Sequence, residues 1–359
     1  MSLPALRDQF PVLRTVAYLN AGTDGPLPAR AADAARGELE RELVDGRTQA
    51  HFERRHELTD ALRSAYASVL GAPAADVALT TCTTEGMATV IAGLQLDPGD
   101  EILTSDEEHP GLLGALSAAR ELRRVRVREV PLAQIAEAAS AQTRLVACSH
   151  VGWVSGCYAP AELARLDVPV LLDGAQGVGA VPVDVHALRC DAYAGAGQKW
   201  LCGPDGTGML YVSPALRERV AVSRRGYANL DDPGDGLDAR LHADARRFDT
   251  PSLNAETTAC ALASFEVLQS AGWADVHEHA SALAAGLAEL LRQAGREVAP
   301  RARTTLVSFT SADPAGERER LAARGVYVRT IPDRPWLRAS VGAWNDERDL
   351  QRLLDALDA

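Results

Sequence analysis

Short apolar runs alternate with stretches of helical spacing over the first two thirds of this chain, and that alternation constrains the fold more than any other feature. Residues 76–81, 101–104, 145–148, 168–172, 191–194 and 208–212 read as strands, most of them apolar on both faces. Strands of that kind belong in a sheet covered on both sides. Residues 30–43, 54–70, 84–94 and 111–122 carry helical apolar spacing, and Gly71-Ala72-Pro73 stops the second of them. Strands separated by helices predict an α/β domain with a mostly parallel sheet.

The pattern changes after residue 226. Gly, Asp and Pro crowd residues 226–245 with no visible period, which predicts a long functional or interfacial loop. A helix over 255–271 then leads to a smaller α+β unit. Its predicted helices span 276–294, 314–323 and 347–357, and its strands 304–310, 326–329 and 336–341. The expected division is an N-terminal segment (1–25) packing with the small domain, a large domain (26–255) and a small C-terminal domain (256–359).

A formal net charge of −12 argues against a nucleic-acid partner, which would meet a basic face. No apolar stretch approaches the roughly 20 residues of a membrane span, and residues 1–14 lack the layout of a signal peptide. The six cysteines are scattered with no CxxC, as expected of reduced thiols in a cytoplasmic protein without a metal site.

Of 37 basic residues only Lys199 is a lysine. A bias that converts surface lysines to arginine cannot act where chemistry needs a primary amine. Guanidinium stays protonated, whereas a lysine amine can lose its proton and attack a carbonyl. Lys199 follows the strand at Tyr193, in Gly197-Gln198-Lys199-Trp200, and precedes the turn Gly203-Pro204-Asp205-Gly206-Thr207-Gly208.

Ligands of α/β sheets sit beyond the carboxyl ends of the strands. Thr83 and Thr84 open a helix after the first strand, where free N–H groups suit a phosphate, although such residues also serve as simple caps. Glu108-His109 follows the next strand, and Asp173-Gly174-Ala175-Gln176 follows the buried run at Leu172. A carboxylate there requires a cation or donors. A lysine amine for an aldehyde, a helix start for a phosphate and an acid for a pyridine nitrogen together predict a pyridoxal 5'-phosphate site.

On these residues the chain resembles the class V branch of fold-type I pyridoxal phosphate enzymes, from Tyr18-Leu19-Asn20-Ala21-Gly22 almost to the C-terminus. The resemblance implies a mostly parallel sheet of seven-stranded type. It makes Lys199 the Schiff-base lysine, Asp173 the acid on the pyridine nitrogen and Gln176 the donor to the phenolic oxygen. His109 resembles the histidine stacked on the ring. Thr83, Thr84 and Gln198 fall at phosphate-binding positions. Thr250, in Arg247-Phe248-Asp249-Thr250-Pro251, resembles a residue that reaches the phosphate of a neighbouring subunit, which implies a homodimer with shared active sites. Arg338 resembles the arginine that holds the substrate carboxylate, and its flat two-donor fork suits that task. Arg329 is placed to hold a second carboxylate or to be a plain surface residue. Asn20, Trp153 and Tyr227 are expected to line the substrate pocket.

Two departures bear on the reaction. Cysteine desulfurases carry a nucleophilic cysteine where this chain reads Ile331-Pro332-Asp333-Arg334-Pro335. They usually carry asparagine at the position of Trp153, where cysteine/cystine C–S lyases resemble this chain. The expectation is therefore β-elimination from cysteine, cystine or an S-substituted cysteine. An aminotransferase or epimerase is the alternative. A desulfurase, or a fold kept for a non-catalytic role, ranks below both.

Overall fold

A computed structural model describes residues Met1–Asp358. Its main sheet contains Val77–Thr80 (β1), Glu101–Ser105 (β2), Arg126–Val130 (β3), Thr143–Ser149 (β4), Val170–Asp173 (β5), Ala192–Ala196 (β6) and Gly208–Val212 (β7), in the order β1-β7-β6-β5-β4-β2-β3. All neighbours are parallel except β7, which runs antiparallel to both β1 and β6. This is the α/β architecture expected from the sequence, with seven strands.

The reversal at β7 follows from chain length. Ala196 pairs with Gly208, so the residues between them form the return of an antiparallel pair, too short for a helical crossover. Lys199 lies in that return. Strand β3 is an edge strand rich in charge, and the arginine run 120–128 divides between it and the preceding helix.

Period-two alternation splits the strand side chains between two cores. Val170 and Leu172 point to one face, with Leu62, Tyr66 and Phe265 from helices Gln49–Leu70 and Ala255–Ala271. Leu171 points to the other face, with Met87, Val90, Leu112 and Leu116 from helices Thr83–Gly93 and Pro110–Arg123. With both faces covered, a ligand can enter only at the strand ends.

A three-stranded antiparallel sheet forms from Leu306–Thr310 (β8), Arg329–Thr330 (β9) and Trp336–Ser340 (β10), in the order β9-β10-β8. The single strand expected over 326–329 is in fact divided at Val328. Val326–Tyr327 pairs instead with Ala17–Tyr18, and Asn20 then bridges to Ser340. Periodicity cannot show a strand changing partners, because side-chain alternation continues through the switch. Residues 226–245 are held in short 3-10 turns, among them Tyr227–Asn229 and Pro233–Asp238. Among the described residues no helix is long and apolar enough to cross a membrane.

Candidate active site

Strand ends β4, β5 and β6 bring the first group of residues together. Asp173 closes β5 in register with Ser149 on β4 and Ala194 on β6. Its carboxylate accepts from Ala175 N at 2.9 Å, and no arginine or lysine side chain hydrogen-bonds to it. Burial pushes its pKa up, opposed by the charge of Lys199 and by that N–H. Burial in turn pushes the Lys199 amine down to about 8; Asp173 and Asp24 oppose this, while Arg338 and Arg329 add to it. The strongest opposite charge acting on each is the other, and among the described residues neither forms a salt bridge.

Gln176 is fixed at both ends. It donates to Gly22 O (2.8 Å) and accepts from Trp200 Nε1 (3.1 Å). The strap Asn20–Gly25 is anchored beside the lysine through Gly25 N, which donates to Gln198 O at 2.7 Å. Gly22 belongs there because a methyl group at its Cα would meet Ser340 Oγ at 2.7 Å and both Arg338 Nη2 and Gln176 Oε1 at 2.9 Å.

His109 caps the helix Pro110–Arg123, its Nδ1 accepting from Gly111 N at 3.0 Å. A neutral ring then carries its proton on Nε2. Burial, with Lys199, Arg329 and Arg338 nearby, pushes its pKa down to about 4, so it is uncharged at neutral pH. Its ring meets Trp153 edge-on at 5.1 Å. Trp153 is pinned by Glu107, whose backbone O accepts from Trp153 N (3.1 Å) and whose carboxylate accepts from Val154 N (3.0 Å) and Ser155 N (2.8 Å).

The helix Thr83–Gly93 starts with its first-turn N–H groups uncapped, since Cys82 makes no side-chain bond to them. Thr83 Oγ1 and Gln198 Oε1 are buried without partners. Glu85, in the first turn, turns back to accept from Thr81 N and Oγ1 (2.6 Å each) and pairs with Arg224. Free donors at a helix start suit a phosphate.

The small sheet supplies two arginines. Arg329 on β9 and Arg338 on β10 are register partners, so their side chains leave the same face. Arg338 is fully buried, yet only Nη1 has a partner, Trp153 O at 2.8 Å. Its Nε and Nη2, and the neighbouring Ser340 Oγ, have none. Burial, with Arg329 close by, pushes its pKa down to about 9. Orphaned charged donors cost several kcal/mol unless an anion completes them. Arg329 is half-buried; it donates to Thr23 Oγ1 (3.1 Å), which itself donates to Asn20 Oδ1 (2.8 Å), and its guanidinium lies 5.9 Å from the Trp153 ring.

The structure does not join every predicted residue to this cluster. Thr250 is anchored on the far edge strand, its N–H donating to Leu79 O (2.8 Å) beside the buried Arg63–Asp249 ion pair (2.7 Å). Tyr227 is 76 % exposed. Neither hydrogen-bonds to the other candidate residues within one chain. Sequence reading missed Glu107, Ser340 and Gly22. Glycine and serine carry no signal of their own, and Glu107 is indistinguishable from its acidic neighbours Asp106 and Glu108.

The model of the aminotransferase class-V family matches residues 17–353. This chain belongs to that family. Relatives in the class include an isopenicillin N epimerase of Streptomyces clavuligerus, 29% identical over 96% of this chain and 95% of the relative. A probable cysteine desulfurase of Pseudomonas aeruginosa is 32% identical over 100% of this chain and 98% of its own length. Among solved structures, the cystine C–S lyase C-DES with its product cysteine persulfide superposes with a TM-score of 0.92 at 28% identity, covering 98% of this chain and 99% of the other. A lysine-to-alanine mutant of C-DES, with glycine covalently linked to the PLP cofactor, matches equally. The class V membership and fold-type I architecture expected from the sequence are thereby established.

Proposed function

We propose that this class V enzyme is a pyridoxal phosphate-dependent C–S lyase that eliminates the sulfur substituent from cystine or an S-substituted cysteine. The observation that carries a carboxylated amino-acid substrate is Arg338, buried with two donor atoms unspent. The cofactor's phosphate is supported by Thr83 Oγ1, buried without a partner, and by the uncapped helix start. Thr83, Thr84, Gln198 and the open helix start would take its phosphate, Asp173 its ring nitrogen, Gln176 its phenolic oxygen and Lys199 its aldehyde. Once bound, it supplies an electron sink for the bond to the substrate Cα proton.

The residues of the chain perform the rest. Arg338 holds the α-carboxylate in a two-donor fork. Arg329, on the same face, takes the carboxylate at the far end of a cystine-like substrate. Lys199, with its amine near the operating pH, accepts the Cα proton and is matched to return it. His109 and Trp153 offer neutral aromatic surfaces that exclude water. The C–S electron pair leaves with sulfur, and one water balances the reaction: the S-substituted cysteine and water give a thiol, pyruvate and ammonia. Thr250 serves the phosphate of a second copy in a homodimer.

Lyase is preferred to desulfurase on thiol chemistry. A persulfide needs an accessible thiolate, and residues 331–335 carry no cysteine. Cys202, just past the lysine, is buried, and burial pushes its thiol well above the usual range. Epimerisation is a second reading, supported by the likeness to isopenicillin N epimerase. It would use the same lysine and arginine. A non-catalytic role is disfavoured, since it would leave the buried charge of Arg338 unexplained.

The test is a panel of amino acids, with cystine and S-substituted cysteines included, followed by keto-acid release and chiral analysis. Pyruvate and ammonia in equal amounts support the lyase. Alanine with a protein-bound persulfide, conversion of the cofactor to its amine form, or loss of chirality without C–S cleavage would each move the assignment.

A further inference from the structure

A second concavity adjoins the site on the side of the small domain. It is a groove of about 300 Å³ over the edge strand β9, lined by Asn20, Thr23, Arg318, Val328, Arg329, Thr330 and Pro332. Arg329 belongs to both spaces, because its guanidinium also lies over Trp153, whose carbonyl receives Arg338. The groove therefore opens from the substrate site.

Its lining is patterned. Arg329 is half-buried and is steadied by Thr23, which is itself held by Asn20. Arg318, on helix Pro314–Ala323, is exposed and pairs with its neighbour Glu319 at 3.4 Å. Exposed ion pairs of that kind contribute little, so Arg318 is free to turn to another anion. Pro332 adds an exposed apolar surface to the lining, and no lining residue is acidic. Three acids stand next to lining residues without belonging to the lining: Glu319, bonded to Arg318, Asp24 after Thr23 and Asp333 after Pro332. A lining with two arginines, an exposed proline and no acid fits a substituent that ends in a carboxylate.

We propose that this groove receives the sulfur substituent of the substrate, and that the enzyme selects S-substituted cysteines whose substituent is an extended arm ending in a carboxylate, with Arg318 as a specificity-determining residue. The proposal rests on the lyase reading for its chemistry but not for its binding geometry. No step is added: the arm leaves as a thiol carrying its carboxylate.

Two measurements on the holoenzyme test it. Pyruvate release is followed with S-(2-carboxyethyl)-cysteine, S-propyl-cysteine and S-(2-aminoethyl)-cysteine, whose arms are similar in length. The acidic arm should show a KM about tenfold below the neutral one, and the cationic arm the highest. Arg318→Ala should raise KM about threefold for the acidic arm alone, with kcat unchanged. Equal KM values across the arms, or a rise in Arg318→Ala that is the same for all three, would overturn the proposal. The second measurement titrates cofactor absorbance with 2-aminopimelate and 2-aminoheptanoate, which resemble the acidic and neutral arms but have no C–S bond to break. Tighter binding of the diacid, weakened in Arg318→Ala, supports the groove even if no arm releases pyruvate, and in that case only the lyase reading falls. Equal binding of the two overturns the groove whatever the reaction.

Discussion

The two halves of the site treat charge in opposite ways. At the strand ends of the large sheet, Lys199 and Asp173 carry opposite charges that act on each other, and their neighbours are oriented by bonds already made, as Gln176 is by Gly22 and Trp200. On the small sheet, Arg338 is buried with Nε and Nη2 unspent. On the function proposed above, the first half is preorganised for a cofactor that stays. The second stores an electrostatic debt that only a transient anion relieves. Catalysis benefits from this division, because donors held ready need no reorganisation when substrate arrives.

The sharpest way to break the comparison is Lys199→Ala. It should reduce turnover by at least about 10⁴-fold and abolish the imine absorbance, while noncovalently held cofactor can still be detected by equilibrium dialysis. Retained turnover would show that the amine is not the base. Arg338→Met should separate the halves. We expect kcat/KM to fall about 10²- to 10³-fold with the cofactor absorbance intact. The apoprotein Tm should rise, because a buried, under-satisfied charge is replaced by an apolar side chain of similar reach. A lowered Tm would mean that the guanidinium is satisfied in the resting protein.

A smaller effect concerns pH. Only the neutral amine attacks an aldehyde, and burial holds Lys199 at about 8 in place of the ordinary 10.5. The rate of covalent cofactor capture by the apoprotein should therefore rise as pH passes from 7 to 9 and then level off. Stopped-flow absorbance would show it, and a rate still climbing toward 10.5 would contradict the lowered value. The smallest effect is expected from Cys202→Ala. Turnover should be unchanged and stability should fall by about 1 kcal/mol from the lost packing. Loss of activity would reopen the desulfurase assignment.

Much of the large domain was legible because its strands are short and apolar on both faces, as at Leu171 and Leu172. The residues after each strand were legible for a related reason: polar or ionisable side chains such as Asp173 and Lys199 have no place at the end of a buried strand unless a ligand requires them. The second sheet was harder to read. Alternation runs unbroken through Val328, so nothing in the pattern reveals that Val326–Tyr327 joins the N-terminal segment while Arg329–Thr330 joins β10. Tyr227 and Thr250 were singled out by resemblance alone, and among the described residues neither hydrogen-bonds to another candidate residue.

The order of residues alone determined that a unique primary amine follows a buried strand, that an acid stands about two dozen positions before it, and that no thiol occupies the segment 331–335. These are matters of chemical identity, carried by single letters. Tertiary structure decided the relations between distant letters. Gly22 faces Arg338 and Ser340 across more than three hundred positions because the strap Asn20–Gly25 bridges to Ser340 and is bonded by Gln176. Arg329 and Arg338 share one face because an antiparallel ladder sets them opposite each other. Burial, which leaves one guanidinium hungry for an anion and holds one amine near neutrality, arises only when the chain has closed around them.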